Sequence, residues 1–303
     1  MADGLSFRVL PDRGLDIGPA SARCLPIAWL STVGNAAPAS DLDRAGDADG
    51  MGWLSRFTGG LLTTCGPDNI GLPSQDGESR FGLHGMWSDL PASDVEISRR
   101  LVGDEIELTV SGRLEYRVAG APRLDIRRTI VTRTGVACVE IQDQITNVGS
   151  GPEPVPMLYH VNFGAPLWAP GATVRFPEGT TTVSRNDHAA SMLHRACVAP
   201  QPQPDAEEYV YERVVPAPET DGVTVSNPAL GLRATVQWTS ESLPTSHQWV
   251  HPAAGVYALG IEPANAGLAG RAVLKGDGSL PTIAPGETRH FVVRISVTPL
   301  AGT

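Results

Sequence analysis

Lysine is almost missing from this chain of 303 residues: Lys275 is the only one, and the other basic residues are arginines. With abundant Ala, Gly and Pro, that pattern reads as a GC-rich coding bias and not as a functional demand. Positive charge is scarce overall. The formal net charge of −10 argues against nucleic acid or an anionic membrane as a partner. No run of about 18 apolar residues exists, so no membrane-spanning helix is expected. The opening Met-Ala-Asp-Gly-Leu-Ser-Phe has no charged n-region and no apolar h-region, so the expectation is a cytoplasmic chain without a secretory signal. The four cysteines, Cys24, Cys65, Cys138 and Cys197, form no CxxC pair. Neither a zinc site nor a disulfide framework is expected, and the thiols are assigned to the core. HxH and HExxH spacings are absent, as are GxSxG and a P-loop, so metal, hydrolase-elbow and nucleotide readings have no support.

Long periodic helices are missing too. Alternation takes their place in Glu105–Val110, Arg123–Val131 and Val136–Ile145, the last two joined by a short turn at Arg133-Thr134-Gly135. A period of two means one wet face and one buried face, as in antiparallel sheet. Further strands are expected at Val223–Val225, Gly231–Trp238, Gly255–Ile261 and His290–Val297. Gly (33) and Pro (26) suit many strands joined by turns, and 41% hydrophobic residues can form a sizeable core. Strand follows strand without intervening helices, which disfavours a parallel α/β fold. Asn35–Met51 and Ala199–Ala206 read as loops. The expected architecture is a single all-β domain over residues 1–303, a large sandwich of antiparallel sheets with its cleft on one face.

Against that background three islands carry proton-handling residues. His84 sits in Gly82-Leu83-His84-Gly85, where the flanking glycines permit close approach. It suits either a sugar hydroxyl or a structural turn. His160 lies in the apolar Tyr159-His160-Val161-Asn162-Phe163, where a buried imidazole needs partners; Asn162, two residues on, shares its strand face. Glu262 ends the run Val256–Ile261 just before Pro263, and burial there would raise its pKa toward that of a base working near neutrality. Two imidazoles and a carboxylate can deliver a proton to one atom and remove one from another, the chemistry that opens and closes a sugar ring. Arg56 and Arg80 are candidate ligand contacts, and Trp53 and Trp249 are candidate stacking surfaces. Lys275 is assigned to solvent. His188, His194, His247, His251 and His290 have no partners at obvious spacing and are assigned structural or surface roles.

Taken in order, these islands resemble the aldose 1-epimerase family of the galactose mutarotase-like superfamily, in a largely uncharacterised branch. The matching pieces include Pro11–Ile17, Ile27–Ser31, Gly59–Gly66, Gly82–Gly85, Thr146–Gly149, His160–Gly164, Leu259–Asn265 and Pro285-Gly286-Glu287. The resemblance implies a mutarotase β-supersandwich and interconversion of α and β anomers without a cofactor. It implies Glu262 as general base toward the anomeric hydroxyl, His160 as general acid toward the ring oxygen, and His84 as the histidine that holds the substrate there. Arg56, Arg80, Asn162, Gln248, Trp249 and Asn265 are the expected sugar-binding residues. The family's sugar-binding Asp has no counterpart here; Gln248-Trp249 stands in that region. The expected partner is a small carbohydrate, free or modified, and the chain is expected to be a monomer or homodimer. A carbohydrate-binding protein on the same fold, a different sugar isomerisation on an acidic or keto sugar, and a metal-dependent β-barrel enzyme are the competing readings.

Overall fold

The computed structural model describes residues 4–34, 47, 49–118 and 121–300; most of the expected loop Asn35–Met51 lies outside them. In chain order the strands are β1 (Leu5–Leu10), β2 (Asp16–Ala22), β3 (Leu25–Pro26), β4 (Leu62–Cys65), β5 (Ser74–Asp76), β6 (Ser79–Phe81), β7 (Ser93–Val102), β8 (Glu105–Val118), β9 (Ala121–Arg133), β10 (Cys138–Asn147) and β11 (Glu153–Pro154). They continue with β12 (Leu158–Phe163), β13 (Thr173–Arg175), β14 (Thr181–Ser184), β15 (Tyr209–Val214), β16 (Val223–Asn227), β17 (Leu232–Trp238), β18 (Thr245–His251), β19 (Ala258–Ala264), β20 (Thr282–Ile283) and β21 (Thr288–Pro299). Two short α-helices, α1 (Asp187–Met192) and α2 (Arg271–Gly276), and several 3-10 turns, among them Gly52–Arg56 and Trp87–Asp89, complete the described elements.

Two large antiparallel sheets dominate. One has nine strands, in the order β1-β2-β4-β12-β19-β18-β15-β14 with β3 paired to β2; the other has eight, in the order β13-β16-β17-β21-β10-β9-β8-β7. The main core lies between them and draws Ile126, Ile130, Ile141, Val293 and Ile295 from one sheet and Ile17, Leu62, Tyr159, Val161 and Ile261 from the other. A second, smaller core covers the opposite face of the nine-stranded sheet, with Trp29, Trp53, Phe57, Cys65, Leu83, Leu158 and Trp249. Among the described residues no helix is long and apolar enough to cross a membrane.

The strands expected from alternation are present, with shifted ends. The strand expected from Gly255 starts at Ala258, because Gly255 and Tyr257 hold positive φ angles of 96° and 38°. Gly231, at φ 62°, belongs to the turn before β17. The turn between β9 and β10 is where Gly135 takes φ 82°. The cysteines correct one expectation: only Cys65 is buried, Cys138 is half-buried, and Cys24 and Cys197 are exposed free thiols. Lys275 is solvent-facing and pairs with Asp76 at 2.8 Å.

A buried polar cluster locks the two sheets together beneath the site. Arg128 on β9 is wholly buried and grips Asp143 on β10 through two bonds of 2.8 and 2.6 Å. Nη1 donates to Asp16 on β2 at 2.9 Å, and Nη2, already on Asp143, also reaches the Thr64 hydroxyl on β4 at 2.9 Å. The Trp87 ring packs on the guanidinium, 4.6 Å to its centroid. Tyr159 on β12 donates its hydroxyl to Asp143 at 2.6 Å. Isolated buried charge is expensive, but here each charge faces an opposite one with hydrogen bonds on both sides. Because side chains alternate along a strand, anchoring Tyr159 toward this cluster turns His160 to the other face.

Candidate active site

On that other face β12, β19 and β18 lie side by side. β12 pairs Leu158 with Ala264 and Val161 with Ile261, and β18 pairs His247 with Glu262 and Trp249 with Gly260. This register brings His160 alongside Glu262: Nε2 of the first is 3.2 Å from Oε1 of the second, and both side chains are almost fully buried. The contact is too far out of line for a hydrogen bond, so Glu262 Oε1 has no hydrogen-bond partner in the chain. Neither has His160 Nδ1 nor His84 Nδ1. Buried polar atoms are nearly always satisfied. Unpartnered ones clustered on a single cavity mark where ligand atoms belong.

His84 arrives on a loop, not a strand. Its φ is 58°, and its backbone is tied at both ends: the N–H donates to Gly71 O and the C=O accepts from Gly66 N–H, each at 3.0 Å. The left-handed turn continues into Gly85, at φ 72°, where any side-chain carbon would stand 2.4 Å from Asn69 O. The glycine is therefore required by space as well as by conformation. The His84 ring lies 6.1 Å from the His160 ring and 4.6 Å from Trp53.

These groups line a cavity of about 390 Å³ walled by Trp29, Trp53, Phe57, Leu83, Val210 and Trp249. That volume is in the range of small-molecule sites, roughly 300–1,000 Å³. Burial sets its electrostatics. Desolvation pushes Glu262 up to about 8, with the Glu208 carboxylate adding to it and Arg185 pulling the other way. Desolvation pushes His160 down to about 3. His84 is held well below the ordinary imidazole value, by burial first and by His160 second. Among the described residues no three His, Cys, Asp or Glu side chains are disposed to hold a metal ion.

The structure thus brings His84, His160, Glu262, Trp53 and Trp249 to one cavity, and it sends Arg56, Arg80, Asn162, Gln248 and Asn265 elsewhere. Arg56 pairs with Asp89 at 3.3 Å and, together with the exposed Arg80, lines a neighbouring groove on the far side of Trp53 and Leu83, which wall both. Gln248 points to the opposite face from Trp249, where its oxygen accepts from Arg213 at 2.8 and 2.6 Å. Asn265 pins the chain before β12: Oδ1 accepts from Met157 N–H at 2.7 Å, and Nδ2 donates to Val155 O at 2.8 Å. Asn162 shares the His160 face as expected. Its amide, however, donates to Gly60 O at 3.1 Å and to His160 O at 2.9 Å, and it does not line the cavity.

Other residues reach the cavity without having been expected there. His251 lines it, and Arg185 and Glu208 stand exposed at its rim. Glu208 accepts from Trp249 Nε1 at 2.7 Å. His247 is buried directly across from Glu262, its Nε2 3.2 Å from Ala266 O. His247, Trp249 and His251 recur at every second position of β18, a period-two signal that is present in the sequence. Arg185 and Glu208 sit just outside strand ends and carry no such signal.

A family model described as a domain of unknown function, DUF4432, matches residues 1–297. No curated protein matches the sequence. Among solved structures, a Klebsiella pneumoniae protein provisionally named an aldose 1-epimerase is 23% identical, with a TM-score of 0.88 over 99% of this chain and 78% of that one. Slr1438 from Synechocystis is 18% identical, with a TM-score of 0.68 over 98% of this chain and 93% of that one. A galactose mutarotase-like protein from Clostridium acetobutylicum is 13% identical, with a TM-score of 0.60 over 98% of this chain and 94% of that one. The fold is the galactose mutarotase-like β-sandwich.

Proposed function

The chain belongs to the DUF4432 family, and we propose that it is a cofactor-independent isomerase of the aldose 1-epimerase kind, interconverting the anomers of a reducing sugar. One observation carries the reading: three titratable side chains, His84, His160 and Glu262, each leave a buried, unpartnered polar atom on a single aromatic-walled cavity.

The protonation of the pair suits the reaction. Burial keeps Glu262 protonated up to about pH 8 and His160 neutral down to about pH 3, so at neutral pH the two share one proton. Ring opening needs one group to take a proton and one to give it. Bound sugar hydroxyls bridge the two side chains and relay that proton to His160, leaving Glu262 as carboxylate. Glu262 then removes the proton from the anomeric hydroxyl, the C1–O1 bond becomes a carbonyl, the C1–O5 bond breaks, and O5 takes the proton from His160. Rotation about C1–C2 presents the other carbonyl face. In the return step O5 gives its proton back to His160 and attacks C1, and O1 recovers the proton from Glu262. No atom or electron is gained or lost overall. His84 holds the ring oxygen and anomeric region in place, Trp53 and Trp249 cover apolar sugar faces, and Arg185 and Glu208 bind hydroxyls remote from C1.

Saturation-transfer proton NMR on a panel of reducing sugars tests this directly. Wild type should accelerate anomer exchange, and Glu262→Gln should lose about 10²–10⁴-fold of that rate, the usual worth of general acid–base catalysis. No acceleration on neutral, acidic or amino sugars would overturn the reading. Sugar binding without exchange would point instead to a carbohydrate-binding protein on the same fold.

A further inference from the structure

The eight-stranded sheet ends in an open edge. β7 is its last strand and pairs with β8 alone. Nine of its ten residues are exposed. One face of β7 continues the core row: Ile97 stands opposite Val110, Val110 opposite Ile130, and Ile130 opposite Ile141. Burial fails along that row. Ile130 and Ile141 are 1% and 0% exposed, whereas Ile97 is 79% exposed. Leu101 is 72% exposed, and its neighbours Ile106 and Leu108 on β8 are 41% exposed each. The sheet overhangs its partner sheet, and an apolar strip and an unpaired backbone ladder are uncovered together among the described residues. Soluble proteins seldom leave both open on a strand of this length.

The charges on β7 indicate what covers it. Directly opposed residues of antiparallel strands share a face. A second copy of β7 therefore matches face to face only when the two-fold axis passes through a residue. Centred on Arg99, the pairing sets two guanidinium groups against each other. Centred on Ile97, it relies on Asp94, which lies in the bulge at the start of β7 with φ 50°. Centred on Ser98, it places Glu96 opposite Arg100 of the second copy, twice, using only residues beyond the bulge, and sets Ile97 across from Arg99. Ile97 then lies diagonal to its own copy. Glu96 makes no ion pair within the described residues, while Arg100 already holds Glu107 at 2.7 Å on its other side. We propose that β7 is the seam of a homodimer in which two eight-stranded sheets join edge to edge about an axis at Ser98.

The test uses the full chain, with the exposed Cys24 and Cys197 replaced by Ser. Light scattering should read twice the chain mass for wild type. Glu96→Arg should weaken association at least tenfold, and Glu96→Arg combined with Arg100→Glu should restore it. Unchanged circular dichroism and melting of Glu96→Arg separates lost association from lost fold. Under mild oxidation Ser98→Cys should form a disulfide-linked dimer, because opposed residues lie about 4.5–5.5 Å apart between Cα atoms, inside the disulfide range. Asp104→Cys, at the hairpin turn beyond the seam, should stay uncrosslinked. A wild type of single chain mass at every concentration overturns the proposal. So does a dimer indifferent to Glu96→Arg that fails to crosslink through position 98.

Discussion

Glu262 Oε1 stands 2.5 Å from the point that a side-chain carbon on Gly260 would occupy, and His160 Cε1 stands 3.0 Å from the same point. The backbone of Gly260 lies in β19, so the glycine is there for space. Its missing side chain is the gap in which Glu262 and His160 face each other.

Gly260→Ala should therefore fold and yet lose activity. The methyl group must push Glu262 or His160 aside, and displacements of this size cost catalysis on the order of 100-fold. The expected result is a near-normal melting temperature with anomer exchange reduced at least that much. A fully active Gly260→Ala enzyme would remove His160 and Glu262 from the reaction centre.

Stability should depend on pH through Glu262, with a definite sign. Its folded pKa is raised from 4.5 to about 8, so the folded state binds more protons than the unfolded state between those values. Stability from this group is present in acid and is lost as pH rises through that window. Glu262→Gln cannot ionise. It should melt progressively higher than wild type from about pH 4.5 upward, with the gap levelling off above about pH 8. Thermal melts of both proteins across pH 4–9 check this, and a constant gap refutes it.

Arg128→Met should be among the most damaging single changes in the protein. It leaves Asp16 and Asp143 facing each other across the core without their shared cation. Removing one partner of a buried ion pair costs about 3–5 kcal/mol. Denaturant unfolding measures the loss, and a change below about 1 kcal/mol would show the cluster to be solvated.

Asn265→Ala separates a structural pin from a sugar ligand. It leaves the Met157 N–H and the Val155 carbonyl without their side-chain partner. The expected cost is about 1–3 kcal/mol of stability, with unchanged sugar affinity per folded molecule. A selective loss of affinity at full stability would return Asn265 to the binding site.

What the sequence makes legible follows from which faces are wet. β8, β9, β10, β17 and β21 each have one buried and one solvated face over much of their length, and they alternate visibly. β12 and β19 are buried on both faces, between the main core and the smaller one, so they show largely apolar runs with no period. In such a run a titratable residue stands out, which is why His160 and Glu262 are legible as candidates. Arg56 misleads because its partner, Asp89, is distant in sequence.

The sequence by itself determined the all-β class and the strands with one wet face, and it marked His84, His160 and Glu262 as candidates, because each leaves a local mark in residue type or periodicity. Only the tertiary structure decided which of two adjacent residues faces the cavity, as with Gln248 and Trp249, and which loops bring Arg185 and Glu208 to its rim. It also decided that His160 and Glu262 meet at 3.2 Å. These outcomes depend on the register between strands nearly a hundred residues apart, and register is set by packing across the whole sheet, not by any local pattern.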